Sequence, residues 1–369
     1  MNGLAHPEGT DEDRGLQRIG GLKLLLRCDA GPAIGLGHVK RCIALAGWLE
    51  EDPIFALADT PSTAHEQIRA AGFQSIELNG LDDDALRPLR EIGADAILCD
   101  IAHNRSRNER AAMREHVAAV SRLGVPVAFI DDVEADALLD DELAAKIALC
   151  IRPYPGVAKG AHGRWLVGLQ YFIVSPEGAR IAYQPRKFGD HVRSILITTG
   201  GSDVAALGPR IVAELNAVDD ERYTVRVVIG PMVPRSTQEA TRAAAENSPH
   251  EMIIVQGRHD LTADMRWCDL AIATTGLTKY ELALNAAPSI LISPDHYHDM
   301  NNASFRACGT AVDLGVTDDL PPGAIADAVR RVARDRSMRQ RLADRGRGLI
   351  DGLGAGRLLS AIKELTDAR

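Results

Sequence analysis

A histidine and an arginine follow a glycine-rich turn near the start of the chain, in the segment Gly35-Leu36-Gly37-His38-Val39-Lys40-Arg41. Glycines let the backbone approach a ligand closely, and a helix start offers unpaired N–H groups to an anion. His38 and Arg41 are three residues apart, so both would lie on one helix face. A histidine there can act as a general base or contact a phosphate. A plain glycine turn before a helix is the alternative, because such patterns are common.

A second glycine turn, Thr198-Thr199-Gly200-Gly201-Ser202-Asp203, ends a strand-like apolar run. Ser202 is well suited to an ordinary helix N-cap. That explanation does not account for the two glycines before it. We therefore expect Gly200, Gly201 and Ser202 to contact a phosphate or a sugar.

A third turn reads Thr274-Thr275-Gly276-Leu277-Thr278-Lys279-Tyr280-Glu281. Thr278 and Glu281 have the spacing of a capping box, which explains both residues without any ligand. The functional interpretation places Thr275, Gly276, Leu277 and Thr278 at a diphosphate and Glu281 at ribose hydroxyls. Both interpretations stay open at this point.

Polar residues cluster in Asp295-His296-Tyr297-His298-Asp299-Met300-Asn301-Asn302. The two histidines form a single i, i+2 pair without a third ligand nearby, so no metal is expected. A polar loop lining a cleft is favoured, with His298 and Asn301 binding substrate. Asp100 and Asp131 end predicted strands, where catalytic carboxylates often lie, although aspartate there is also a common turn former. We assign Asp131, together with His38, to catalysis and Asp100 to substrate binding.

Strand and helix patterns alternate along the chain and must position these residues. One series begins at residues 22–29 and a second at 194–199. Such alternation predicts an α/β fold of two Rossmann-type doubly wound domains with a cleft between them. We predict a mobile N-terminal extension over 1–20, an N-terminal domain over 21–178, a C-terminal domain over 190–355 and a C-terminal helix over 356–369, with a linker at 175–191.

Composition excludes several classes of protein. The 369 residues are 46% hydrophobic and 25% charged, as in globular proteins, and the formal net charge of −9 makes nucleic acid an improbable partner. No apolar run reaches the roughly 20 residues of a membrane helix, and the first twenty residues lack a signal sequence. The six cysteines are scattered, which favours reduced core thiols and a cytoplasmic location.

Taken together, the motifs resemble a known family. The pattern Arg27-x-Asp29-x₅-Gly35-x-Gly37-His38-x₂-Arg41 is similar to that of the nucleotide-sugar hydrolase of pseudaminic acid biosynthesis and its spore-coat-polysaccharide relatives. The likeness extends in order from about residue 22 to 355. Further matching segments are Phe129-Ile130-Asp131-Asp132, Gly168-Leu169-Gln170-Tyr171, Gly200-Gly201-Ser202-Asp203, Val228-Ile229-Gly230-Pro231, Gly276–Glu281 and Ala287-Pro288.

This resemblance implies a GT-B-like fold, related to the transferase that adds N-acetylglucosamine in peptidoglycan synthesis. It also implies a UDP-sugar site between the domains, with Glu281 on ribose and residues 276–278 at the phosphates. His38 matches the family's catalytic histidine, and the implied reaction is hydrolysis at the anomeric carbon. Neither a metal nor a cofactor is expected.

Two segments depart from the family pattern. The family has Asp-x-Tyr after the fourth strand, whereas this chain reads Asp100-Ile101-Ala102-His103. Where the family has an Asn-Gln pair, this chain has Tyr297-His298. These changes predict another sugar, another nucleotide or a transfer reaction. A GT-B glycosyltransferase and a non-catalytic nucleotide-sugar-binding subunit are therefore alternatives, and the sequence leaves the sugar, the base and the oligomeric state open.

Overall fold

The computed structural model describes residues 16–31, 35–58, 60–80, 82–101, 107–131, 141–182, 184, 186–258 and 260–368. These residues form two α/β domains, each built around one parallel sheet. The first sheet belongs to the N-terminal domain and ends at Val167, and the second belongs to the C-terminal domain and starts at Ser194. The predicted doubly wound α/β architecture is confirmed.

The first sheet has the strand order β3-β2-β1-β4-β5-β6-β7. Its strands are β1 Leu24–Cys28, β2 Ile54–Ala58, β3 Gln74–Leu78, β4 Ala96–Asp100, β5 Val127–Ile130, β6 Leu149–Arg152 and β7 Trp165–Val167. The helices around it are α1 Gly37–Ala46, α2 Ser62–Ala70, α3 Asp83–Ile92, α4 Arg107–Ser121, α5 Asp141–Ala144 and α6 Pro176–Ala182.

The second sheet repeats this topology with the order β10-β9-β8-β11-β12-β13. Its strands are β8 Ser194–Thr198, β9 Thr224–Val228, β10 Glu251–Val255, β11 Leu270–Thr274, β12 Ser289–Ser293 and β13 Val312–Val316. The helices that follow are α7 Leu207–Leu215, α8 Arg235–Glu246, α9 Thr262–Trp267, α10 Thr278–Leu284, α11 His296–Cys308, α12 Ala324–Arg334, α13 Arg336–Leu349 and α14 Gly354–Asp367.

The central strands are buried on both faces, which explains why they read as continuous apolar runs rather than as alternating patterns. Every residue of β1, β4, β11 and β12 is buried. The edge strand β10 instead alternates exposed and partly buried residues. The sequence pattern therefore encodes strand position within the sheet as well as strand formation.

The strand order places the ligand-binding crevice of each domain. In the first sheet β1 lies between β2 and β4, so the chain winds away from β1 in both directions. A crevice opens at such a switch point, outside the carboxyl ends of the two central strands. Cys28 at the end of β1 is the register partner of Asp100 at the end of β4. In the second sheet the equivalent ends are those of β8 and β11.

The last helix returns to the N-terminal domain. Leu358, Leu359 and Ile362 of α14 are fully buried in the same apolar cluster as Leu22. The Lys363 ammonium group donates a hydrogen bond to the Gly20 carbonyl oxygen. The chain therefore crosses between the domains twice, once through the linker and once before α14.

The structure adds detail to one expectation about the connecting segments and corrects another. The predicted linker over 175–191 contains the helix α6, whose first residue is Pro176, because proline suits the first helical position. Residues 16–20 of the predicted mobile extension are anchored. Leu16 is buried, and the Ile19 N–H donates to the Trp48 carbonyl oxygen at 2.8 Å. Residues 1–15 lie outside the described part of the chain.

None of the described helices combines the length and the apolar character that crossing a membrane requires. All six cysteines are free thiols, as predicted, and only Cys308 is partly exposed.

His116 on α4 is a buried histidine without a hydrogen-bond partner on Nε2 among the described residues. Burial, assisted by the charge of Arg27, lowers its pKa to about 3. Its ordinary pKa of about 6.5 returns on unfolding. The unfolded state therefore binds more protons below about pH 6.5, so this residue destabilises the fold as the pH falls through that range.

The free energy of unfolding of wild type should fall as the pH is lowered from about 7.5 to about 5.5. We predict that this fall is about 1.4 kcal/mol smaller in His116→Leu. Urea unfolding of both proteins at the two pH values measures the difference. The exposed His191 provides the control, because His191→Leu should show the same fall in unfolding free energy as wild type. An equal loss in His116→Leu and wild type would show that His116 does not titrate as a buried group.

Candidate active site

His38, Asp100 and Arg41 form a hydrogen-bonded group at the switch point of the N-terminal domain. The His38 Nδ1 and Asp100 Oδ1 atoms are 2.7 Å apart. Arg41 donates to the same carboxylate, from Nε to Oδ2 at 2.6 Å and from Nη2 to Oδ1 at 2.5 Å. An ionised carboxylate only accepts hydrogen bonds, so His38 carries its proton on Nδ1. In the neutral imidazole Nε2 is then an acceptor, and no described residue hydrogen-bonds it.

Asp100 is fully buried and nevertheless ionised. Burial raises the pKa of Asp100, but the charges of Arg41 and His38 and their hydrogen bonds outweigh it and hold that pKa well below the usual value. His38 itself is 22% exposed, so a ligand can reach the imidazole. A buried carboxylate behind a reachable imidazole fixes the ring and stabilises the imidazolium form. The arrangement is that of a general base.

The glycine turns of the two domains contact each other beside His38. A Cβ atom placed on each of three glycines would lie at van der Waals distance or closer to an atom of the other domain. Measured from the Cβ position, these contacts are Gly37 to Leu277 Cδ1 at 3.3 Å, Gly201 to the Leu36 nitrogen at 3.6 Å and Gly35 to Ser202 Oγ at 3.9 Å. Glycine-turn residues that the sequence assigned to the site in each domain therefore meet in one place.

The backbone requires a glycine within the second turn and another on the segment packed against it. Gly200 has a φ of +84°, which favours glycine. A Cβ on Gly230 would lie 2.3 Å from the Gly200 carbonyl oxygen, so the turn packs directly on the segment after β9. The resulting loop is held in place by its neighbours.

The N-cap interpretation of Ser202 is wrong. Helix α7 begins at Leu207, and Asp203 supplies its capping oxygens. Oδ1 of Asp203 accepts from the Leu207 N–H at 2.8 Å, and Oδ2 accepts from the Gly208 N–H at 2.9 Å. Ser202 is only partly buried and approaches Gly35 of the other domain.

The capping box of Thr278 and Glu281 is not formed. Leu277 has helical dihedral angles, so α10 already includes Thr278 and no side chain caps it. The Glu281 carboxylate hydrogen-bonds no described residue. Its side chain is open to solvent on one side, and protein surrounds it on the others. This partial removal from water raises the pKa of Glu281. The positive charge of Lys40 on α1 opposes that rise, and the negative charge of Asp260 adds to it. Among the described residues Glu281 thus has no structural partner, which leaves its carboxylate available to a ligand.

Thr275 faces the interior of its domain. It is buried, and its Oγ1 donates to Ser293 Oγ at 3.2 Å. Its predicted contact with a ligand can therefore come only from its backbone. Gly276 beside it is exposed, with open space around its Cβ position.

The polar segment after β12 is the first turn of a helix, α11, rather than the expected loop. Asp295 caps this helix by accepting from the His298 N–H at 2.8 Å, and it also bonds His298 Nδ1 at 2.8 Å. Asn301 lies one turn further on. A Cβ on Gly156 would lie 3.0 Å from Ser304 Oγ, so α11 faces the N-terminal domain. Within the described ranges no three histidine, cysteine, aspartate or glutamate side chains are grouped to hold a metal.

Asp131 does not have the setting of a catalytic carboxylate. It is 1% exposed, and its Oδ2 accepts from Arg152 Nε at 3.0 Å and Nη2 at 2.8 Å. The Arg152 guanidinium also lies over the Trp165 ring, 4.4 Å from its centroid. This buried ion pair links the end of β5 to the end of β6, and Asp100, not Asp131, is the strand-ending carboxylate that contacts His38. Asp132, His103 and Ala102 lie outside the described residues.

Sequence reasoning missed Tyr154. Its hydroxyl oxygen accepts from Arg41 Nη1 at 2.6 Å, although 113 residues separate the two. No spacing pattern connects residues so far apart. Only the neighbouring positions of β4, β5 and β6 in the sheet bring the loop after β6 to Arg41.

No family model matches the chain. The spore coat polysaccharide biosynthesis protein SpsG of Bacillus subtilis (strain 168) is 29% identical over 201 residues, which cover 54% of this chain and 58% of SpsG. An uncharacterized protein of Methanocaldococcus jannaschii, MJ1062, is 22% identical over 287 residues, 73% of this chain. The chain thus spans 58% and 55% of the lengths of these two curated relatives.

Solved structures share the two-domain fold. MurG of Acinetobacter baumannii superposes with a TM-score of 0.63 at 16% identity, over 93% of this chain and 99% of MurG. The UDP-GlcNAc 2-epimerase of Neisseria meningitidis, solved with UDP-GlcNAc, gives 0.59 at 11% identity, over 93% of this chain and 100% of the epimerase. The predicted GT-B-like architecture is therefore confirmed.

The capping assignment generates a prediction. Asp203→Ala should lower the free energy of unfolding by about 1–2 kcal/mol, because two N–H groups at the start of α7 lose their acceptor. Ser202→Ala should change it by less than about 0.5 kcal/mol. Denaturant unfolding of the two variants measures both values. A larger effect at Ser202 than at Asp203 would restore Ser202 as the cap.

Proposed function

We propose that this protein hydrolyses a UDP-linked amino-deoxy sugar at its anomeric carbon, releasing UDP and the free sugar, in the biosynthesis of a surface glycan or a nonulosonic acid. One observation carries the proposal. The His38–Asp100 pair lies in the cleft where the glycine turns of both domains meet. The similarity to a spore coat polysaccharide biosynthesis protein supports this class of pathway.

In the proposed reaction, Nε2 of His38 accepts a proton from a water molecule as the water oxygen attacks the anomeric carbon. The bond between that carbon and the diphosphate oxygen breaks, and UDP leaves with the bonding electrons. Asp100 stabilises the imidazolium that forms, since its charge lies 2.7 Å from Nδ1. The proton returns to solvent when the products leave.

Negative charge builds up on the departing diphosphate. Backbone amides of the turns at Gly200, Gly201 and Gly276, with the N-terminus of α1 at Gly37, are the groups that we assign to this charge. The turns at Gly37 and Gly201 are held by contacts with the other domain, so little reorganisation is needed there as the reaction proceeds. No cofactor enters this scheme.

The C-terminal domain would bind the nucleotide. The Glu281 carboxylate accepts no hydrogen bond from the described residues. The two ribose hydroxyls could donate hydrogen bonds to it. His298 and Asn301 on α11 are assigned to the sugar. Because His298 belongs to a pair that departs from the family pattern, we expect this segment to select among sugars.

A glycosyltransferase is the alternative. The same imidazole could take a proton from an acceptor hydroxyl instead of from water, and the fold is shared with MurG and with the spinosyn rhamnosyltransferase SpnG. A non-catalytic nucleotide-sugar-binding protein is the third possibility. The difference lies in the acceptor, so an acceptor-controlled assay distinguishes the three.

The experiment measures UDP release from a panel of UDP-sugars, with and without sugar and lipid-linked acceptors, alongside calorimetric binding of UDP. Release without acceptor supports hydrolysis, and release only with acceptor supports transfer. Binding of UDP without turnover supports the non-catalytic alternative. A protein that neither binds UDP nor turns over any UDP-sugar contradicts the assignment of the nucleotide.

His38→Asn should lower turnover by about 10²–10⁴-fold, because the general base is lost. The affinity for UDP should stay within about twofold of wild type, since the nucleotide is bound by the other domain. A matched control is His65→Asn, because His65 also pairs with a carboxylate, Glu77, at 2.8 Å but lies on α2. Turnover equal to wild type in folded His38→Asn would remove this residue from the mechanism.

Glu281→Gln should weaken UDP binding by about tenfold, because charge-assisted hydrogen bonds to ribose become neutral ones. Its melting temperature should hardly change, since Glu281 caps no helix. Glu239→Gln serves as the control, because Glu239 is exposed on α8 and pairs with Arg235. A lower melting temperature with unchanged UDP affinity would assign Glu281 a structural role.

A further inference from the structure

Tyr154 joins the His38 network to the other domain. It lies on the loop after β6 and is 6% exposed. Its hydroxyl accepts from Arg41 Nη1, while its ring packs against the ring of Tyr280 on α10, with centroids 6.1 Å apart. One end of this side chain therefore contacts the residues that hold His38, and the rest contacts the C-terminal domain.

The ring of Tyr280 is itself fixed from both domains. Its centroid lies 4.6 Å from that of Phe172, which precedes α6, and 4.9 Å from that of Phe305 on α11. The four rings form one aromatic cluster across the domain boundary. Aromatic pairs at these distances add stability beyond the area they bury. The position of Tyr154 is thus defined by how the two domains pack.

Arg41 connects Tyr154 to Asp100 and, through Asp100, to His38. A guanidinium group is planar, and its N–H groups point in fixed directions. Nε and Nη2 bind Asp100 and Nη1 binds Tyr154, so hydrogen bonds from all three nitrogens fix the plane of the group. Nη2 lies 3.5 Å from His38 Nδ1, and both share Asp100 Oδ1. A rotation of the guanidinium would therefore disturb the bond between His38 and Asp100.

We propose that Tyr154 is a positioning residue for His38, through which the packing of the two domains controls the orientation of the base. The proposal rests on the role of His38 under the proposed function. Neither the glycine motif nor the strand-ending aspartate identifies Tyr154, because it contributes only through Arg41.

The test is Tyr154→Phe, which keeps the ring and removes the hydroxyl. In the free protein, the Nδ1–H proton of His38, identified by its absence in His38→Asn, is followed by NMR. We expect its exchange with solvent to become about five- to tenfold faster, the effect of losing one buried hydrogen bond in the network. With the identified substrate, kcat should fall by a similar factor while KM stays within about twofold.

Two further variants separate positioning from stability. Phe172→Leu loosens the aromatic cluster without removing the Arg41 bond to the Tyr154 hydroxyl, so it should lower the melting temperature more than Tyr154→Phe does. Arg41→Lys keeps the charge but removes the planar fork, so it should also accelerate exchange at His38. Combined with Tyr154→Phe it should add little, because both changes act on one contact chain.

Unchanged exchange and unchanged kcat in folded Tyr154→Phe would overturn the proposal. If that variant does not fold, Arg41→Lys decides, and unchanged exchange at His38 in that protein would overturn it equally. Failure of the proposed function gives a different result, because wild type would then lack turnover while the NMR effect of Tyr154→Phe persisted.

Discussion

The buried charge of Asp100 is the constraint on which the candidate site depends. A carboxylate that water cannot reach must be matched by hydrogen bonds and an opposite charge, or the fold loses several kcal/mol. Arg41 and His38 supply that match, and both belong to α1. A displacement of α1 along the sheet would separate the charge from its partners. The same interaction that stabilises the domain therefore also holds His38 in place.

Much of this site could be read from the sequence because it consists of local patterns. A strand, a glycine turn and a helix start placed His38 and Arg41 together, and the alternation of elements identified the fold. The sequence also marked Asp100 and Asp131 as strand-ending carboxylates, but their local patterns are equivalent. Their roles differ because the order of strands places Arg152 beside one and α1 beside the other. Such lateral neighbours lie 21 to 62 residues apart, and no periodicity connects them.

The errors at helix starts have a related cause. A capping box depends on where the helix begins, and a shift of one residue is enough to abolish it. At α10 the helical conformation of Leu277 draws Thr278 into the first turn. At α7 the left-handed conformation of Asp203 and Ala206 moves the start to Leu207. Contacts between the domains fix these loops, so the local sequence could indicate only the approximate residue at which each helix starts. At Glu281 this shift removes the capping role that the sequence pattern offered.

The return of α14 to the N-terminal domain has a consequence for biosynthesis. Lys363 and Gly20 are 343 residues apart, yet they share a hydrogen bond, and the apolar face of α14 completes the cluster that contains Leu22. A ribosome makes α14 only after the whole C-terminal domain. Chains usually fold their N-terminal domain first. Here part of the core of that domain therefore stays exposed until α14 has been synthesised. Protection of that uncovered surface during translation becomes a requirement of this topology.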